Sequence, residues 1–131
     1  MRVVVAGTGY VGLTTAVCFA SHGHQVRCTD IDESKIEMIN MGISPIFEEG
    51  MNSLLKEVVE SGQLTASTDL EKAVVSSDIS FICVGTPNLE DGGIDLSQIR
   101  TVSASIGKAL SNYDGRHVVV VKSTVLPGTS E

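Results

Sequence analysis

The stretch Gly7-Thr8-Gly9-Tyr10-Val11-Gly12 constrains this chain more than any other feature it has. A G-x-G-x-x-G pattern alone is weak evidence, because glycines serve many tight turns. Its setting restricts the fold. Arg2 to Ala6 is a β-branched run that reads as a buried strand. From Val11 to Ser21 the apolar positions Leu13, Ala16, Val17 and Ala20 follow helical spacing, with Gly23 as a C-cap. The glycines therefore sit in a strand-to-helix turn. There Gly7 permits the tight turn, a side chain at Gly9 would block a pyrophosphate, and Gly12 lets the helix lie close to a sheet. The helix N-terminus offers unpaired N–H groups and partial positive charge to phosphates.

The rest of the chain repeats the alternation. Gln25 to Thr29 is a second strand closed by Asp30, and Ser34-Lys35-Ile36-Glu37 has capping-box form ahead of a helix that Gly42 ends. Ile43 to Gly50 has no period and contains Pro45, so it reads as a loop. Met51, Leu54, Leu55, Val58 and Val59 mark an amphipathic helix ended by Gly62. Leu64 to Ala66 is a short strand, Thr68-Asp69-Leu70-Glu71 a second capping box before a helix carrying Ala73 and Val74, and Ile79 to Val84 a strand broken by Gly85-Thr86-Pro87-Asn88. After a loop over Leu89 to Gly93, Asp95 caps a helix reaching about Leu110, and His117 to Val121 forms the last strand. Strands alternating with helices require parallel pairing and right-handed crossovers. The expected fold is α/β: a three-layered, doubly wound Rossmann sheet of five or six strands, in one domain over residues 1–131.

Composition narrows the function. Aromatics make up 4% with no Trp, so small aliphatic side chains must fill the core, as suits helices laid on a parallel sheet. The formal net charge of −7 lacks the field that draws in nucleic acid or anionic lipid, so any phosphate must be held by local backbone geometry. No basic-apolar-small signal opens the chain and no apolar run has the length of a membrane span, which predicts a cytoplasmic protein with neither nucleic-acid nor membrane partners. Cys18, Cys28 and Cys83 share no metal-type spacing and sit in apolar runs, so they are expected to be buried free thiols. His22-Gly23-His24 and His117 have no partners at ligand spacing, and no metal is assigned.

Asp30 ends the second strand roughly twenty residues beyond the glycines, where an acid accepts hydrogen bonds from a ribose diol. A carboxylate there repels a 2′-phosphate and favours NAD over NADP. Lys35 lies close enough to neutralise part of such a phosphate, although a solvated residue in the first turn of a helix would look the same. Asp32 and Glu33 read as helix-start charges. Thr86 follows the fourth strand at the carboxyl edge of the sheet, where ligands bind; it is either a cofactor contact or part of a plain turn. Lys122-Ser123-Thr124, at the same edge after the fifth strand, reads either as a means of positioning water or substrate or as a polar chain end.

These motifs together make the chain resemble the N-terminal domain of the UDP-glucose/GDP-mannose dehydrogenases over essentially its whole length. The matching segments are Gly7-Thr8-Gly9-Tyr10-Val11-Gly12, Asp30-Ile31-Asp32 with Ser34-Lys35, Ser44-Pro45-Ile46, Val84-Gly85-Thr86-Pro87 and Lys122-Ser123-Thr124. The resemblance implies an enzyme that oxidises C6 of a nucleotide sugar twice with two NAD, the sugar being carried by a cysteine as thiohemiacetal and then thioester before water releases the acid. It places Tyr10, Val11, Asp30, Lys35, Thr86 and Thr124 at the cofactor, and gives Thr124 a catalytic part in positioning water. It also implies a homodimer or higher homo-oligomer, and a nucleotide-sugar site in a C-terminal domain.

Two departures from the family pattern stand out. Glu48-Glu49-Gly50-Met51 replaces the usual Glu-Pro-Gly-Leu, loosening a loop away from the expected contacts. The family's nucleophilic cysteine and substrate domain have no counterpart in these 131 residues, so the chain is expected to bind cofactor without turning over substrate, and its last strand to be an exposed edge. Two other classes fit the glycine loop: a stand-alone NAD-sensing module, and an S-adenosylmethionine-dependent methyltransferase, whose loop usually lacks a glycine at the position of Gly12.

Overall fold

The computed structural model describes residues 1–123. Five strands, β1 (Arg2–Ala6), β2 (Gln25–Thr29), β3 (Leu64–Ser67), β4 (Ile79–Ile82) and β5 (Val118–Val121), form one parallel sheet in the order β3-β2-β1-β4-β5. Five helices connect them: α1 (Tyr10–Ser21), α2 (Glu33–Asn40), α3 (Met51–Glu60), α4 (Leu70–Val75) and α5 (Ser97–Leu110).

Valine-rich β1 is the centre of the sheet because both its faces are covered. Val3, Val4 and Val5 are each 2% exposed or less. In register with it, Val3 pairs Val26 on one side and Ile79 on the other. Val3 and Val5 join Leu13, Ala16 and Val17 of α1 and Leu55 and Val58 of α3 in one apolar cluster. Val74 of α4 and Ile99 and Ile106 of α5 gather with Ile82 in a second cluster. Helices thus cover both faces, giving three layers. Because β1 is flanked by β2 and β4, the chain reverses its winding direction there. The carboxyl ends of β1 and β4 border the crevice that such a reversal creates.

Local details differ from the sequence expectation. The residue capping α2 is Asp32, whose side chain accepts from the N–H groups of Ser34 and Lys35; Ser34 lies inside the helix. Asp69, not Thr68, caps α4 by accepting from the Lys72 N–H. Asp95 sits just ahead of α5 and accepts from the Ser97 N–H at 2.9 Å. Strand β4 ends at Ile82, two residues short of the expected Val84, whose carbonyl accepts from the Ser123 hydroxyl at 2.9 Å. Cys28 and Cys83 are buried, but Cys18 is exposed: it falls outside the Leu13–Ala16–Val17–Ala20 stripe and so onto the outer face of α1. Strand β5 lies at an edge of the sheet, with Val118 44% and Val119 43% exposed.

Candidate functional site

A cleft of about 890 Å³ opens at the carboxyl ends of the strands. It brings together Gly7, Gly9, Tyr10 and Val11 from the first turn, Asp30 from the end of β2, Lys35 from α2 and Thr86 from the segment after β4. Gly12 lies buried behind the turn. Thr124 lies outside the described residues.

The three glycines do different work. Gly7 has φ +104°, a conformation side chains rarely adopt, and a Cβ on it would lie 2.7 Å from the Cys83 carbonyl oxygen. Its N–H donates to the Thr29 carbonyl at 2.8 Å, which binds the turn to β2. A Cβ on Gly12 would come within 1.9 Å of the Gly7 carbonyl oxygen, so this glycine admits the turn's own backbone against α1. Gly9 is bound by neither need. Its backbone is extended (φ −73°, ψ −167°), and a Cβ there would meet nothing within 4 Å. The space over Gly9 is open cleft, free for an outside group to approach the backbone.

Directly above that floor, α1 begins without a side-chain cap and without an acid in its first turn. Helices α2 and α4 have their first N–H groups met by Asp32 and Asp69. The α1 start is therefore a cluster of donors with partial positive charge, suited to an anion.

Across from it, Asp30 is set by hydrogen bonds. Its Oδ2 accepts from the Thr8 N–H at 2.9 Å and from the Thr8 hydroxyl at 2.6 Å, and its Oδ1 accepts from the Asp32 N–H at 3.0 Å. Partial burial pulls its pKa upward, but the Thr8 and Asp32 donors and the charge of Lys35 outweigh it and hold the carboxylate below its ordinary value. The group is an anion at neutral pH. Thr8, 1% exposed, is the part of this arrangement that the glycine pattern did not single out. A hydroxyl-bearing residue between two glycines that face an acid was the available signal. Ile31, 97% exposed and lining the same cleft, is a second residue the sequence did not mark: an apolar side chain held in solvent beside the acid.

Cys83 also lines the cleft. Burial pushes its thiol up to about 11, with Lys122 opposing the shift. Burial, with smaller effects of Cys83 and Asp30, pushes the Cys28 thiol up to about 12. Neither is a thiolate at neutral pH, and thiols in that state are poor nucleophiles. Among the described residues no three His, Cys, Asp or Glu side chains are grouped so as to hold a metal ion, and no helix is long and apolar enough to cross a membrane.

Comparison with known proteins agrees with this geometry. The family model for the NAD-binding domain of the UDP-glucose/GDP-mannose dehydrogenase family matches residues 1–131. The GDP-mannose 6-dehydrogenase of Pseudomonas aeruginosa is 49% identical over 129 residues, covering 98% of this chain and 30% of that protein. The UDP-glucose 6-dehydrogenase of Rhizobium meliloti is 46% identical over 132 residues, covering 100% of this chain and 30% of its own length. A crystal structure of a ternary complex of the Pseudomonas aeruginosa GDP-mannose dehydrogenase superposes with a TM-score of 0.97 at 49% identity, over 98% of this chain and 30% of that one. The chain thus spans about 30% of the length of the curated relatives it matches.

Proposed function

The chain belongs to the UDP-glucose/GDP-mannose dehydrogenase family as its NAD-binding domain, and from that premise we propose that it holds NAD, in preference to NADP, for a nucleotide-sugar 6-dehydrogenase. The whole protein would oxidise the C6 alcohol of a UDP- or GDP-linked sugar to a carboxylate in two steps. A nicotinamide held in the cleft supplies the hydride acceptor for each step.

The residues of this chain supply position and selectivity. The open floor at Gly9 and the uncapped start of α1, with Tyr10 and Val11, receive the pyrophosphate. Asp30 accepts from the adenosine ribose and repels a 2′-phosphate, with Lys35 beside it. Thr86 contacts the cofactor from the segment after β4, and Thr124 serves both the cofactor and the water that releases the product. The nucleotide sugar and the nucleophilic thiol belong to parts of the enzyme outside this chain. Supporting this, Cys28 and Cys83 are held as neutral thiols, and Cys18, on the exposed face of α1, does not line the cleft.

The observation that carries the proposal is Gly9, a glycine that neither backbone angle nor packing requires. No packing contact demands its smallness, which leaves the backbone open to a ligand. Gly9→Ala, at the N-cap of α1, should therefore fold with a stability within about 1 kcal/mol of the parent and yet bind NAD at least about tenfold more weakly, since the methyl stands where phosphate must approach. Chemical denaturation and calorimetry on the same protein measure both. Unchanged NAD affinity would remove the assignment of the pyrophosphate to this turn.

A further inference from the structure

The two oxygens of Asp30 are unequally committed. A carboxylate offers about four acceptor positions, two on each oxygen. On Oδ2 both are taken, by the Thr8 N–H at 2.9 Å and the Thr8 hydroxyl at 2.6 Å. On Oδ1 one is taken, by the Asp32 N–H at 3.0 Å. A ribose diol gripped by both oxygens of an acid would need an open position on each, and here only Oδ1 has one.

From this we infer that Thr8 is a positioning residue that sets cofactor specificity: it fills Oδ2 of Asp30, leaves Oδ1 as the single acceptor for a ribose hydroxyl, and fixes the carboxylate where a 2′-phosphate would lie. The inference deepens the proposed NAD site and rests on it. Thr8 is 1% exposed and acts through Asp30. Without the hydroxyl, the carboxylate would keep one donor on Oδ2 and one on Oδ1, and could rotate out of the way of a phosphate. Lys35, already lowering the Asp30 pKa through its charge, would then face that phosphate with less opposition. The hydroxyl hydrogen bond to a charged acceptor is the stronger kind, so its loss has a measurable effect. One residue inside the glycine turn thereby couples the phosphate-binding loop to the ribose-binding acid.

The test is equilibrium titration of the 131-residue chain and its variants with NAD and with NADP. Thr8→Val keeps the side-chain shape and removes the hydroxyl, and Thr8→Ala removes it again at smaller volume, covering a failure of the valine variant to fold. Both should lower the ratio of NAD to NADP affinity by about five- to tenfold, mostly through tighter NADP binding, and Thr8→Ser should restore the ratio. A residue that merely stabilised the turn would weaken both cofactors in parallel. Parallel loss, or an unchanged ratio in both hydroxyl-free variants while the parent prefers NAD, would overturn the inference and leave the NAD site standing. Failure of the parent chain to bind either cofactor would overturn the underlying reading and this inference with it.

Discussion

At the scale of single residues, the proposed selectivity depends on keeping one carboxylate charged and still. Asp30 is held below its ordinary pKa of 3.8 despite partial burial, so its ionised form is favoured by folding. A group depressed in this way contributes stability that is complete above the unfolded value and is lost as pH falls through the lower folded value. Comparing the urea midpoints of the parent and Asp30→Asn should therefore show a constant gap through neutral and mildly acidic pH. The gap should close only once pH drops below 3.8. A gap that closes between pH 5 and pH 7 would mean that the acid is not held as described. In binding, Asp30→Ala should weaken NAD and improve NADP relative to it. Calorimetry that finds both affinities unchanged would remove Asp30 from the ribose site.

At the scale of elements, the βα turn makes the sharpest distinction. Gly9 and Gly12 are three residues apart in one motif, but their surroundings give them opposite sensitivities. A Cβ on Gly12 would come 1.9 Å from a backbone carbonyl oxygen, which cannot rotate aside as a side chain can. Gly12→Ala must push α1 off the turn, and we expect it to destabilise the fold by about 3 kcal/mol with cofactor binding lost as well. A urea midpoint equal to that of the parent would show that the helix has slack this packing does not contain. The alternation of strands and helices was legible in the sequence, because apolar period, β-branched runs and glycine stops all agree there. Cap positions were less so. In Asp32-Glu33-Ser34 and Thr68-Asp69 neighbouring side chains can all accept from helix N–H groups, and the backbone path chooses among them. Beyond the end of β4, the Val84 carbonyl is met by a hydroxyl from distant Ser123, a contact that sequence spacing does not show. Of the site, the glycines and Asp30 could be read from spacing. The bond from Thr8 to Asp30 could not, because it exists only once β1 and β2 pair and bring residues 22 apart together.

At the scale of the whole molecule, the strand order turns a short sequence motif into a ligand site. With β1 between β2 and β4, the glycine turn, the acid after β2 and the Gly85-Thr86 segment after β4 share one cleft, while helices cover both faces of the central strands. The cleft needs no basic surface: the donors are backbone N–H groups of an uncapped helix, which reconciles phosphate binding with a net charge of −7. The β5 edge, half-exposed at Val118 and Val119, is the part of the sheet least covered by the described residues. Every role given to these residues requires that the cleft take NAD. The most direct test is calorimetric titration of the chain with NAD, NADP and S-adenosylmethionine side by side. We expect saturable binding of NAD, weaker binding of NADP and none of S-adenosylmethionine. Binding of S-adenosylmethionine alone, or of NADP more tightly than NAD, would contradict the assignment of this cleft to NAD.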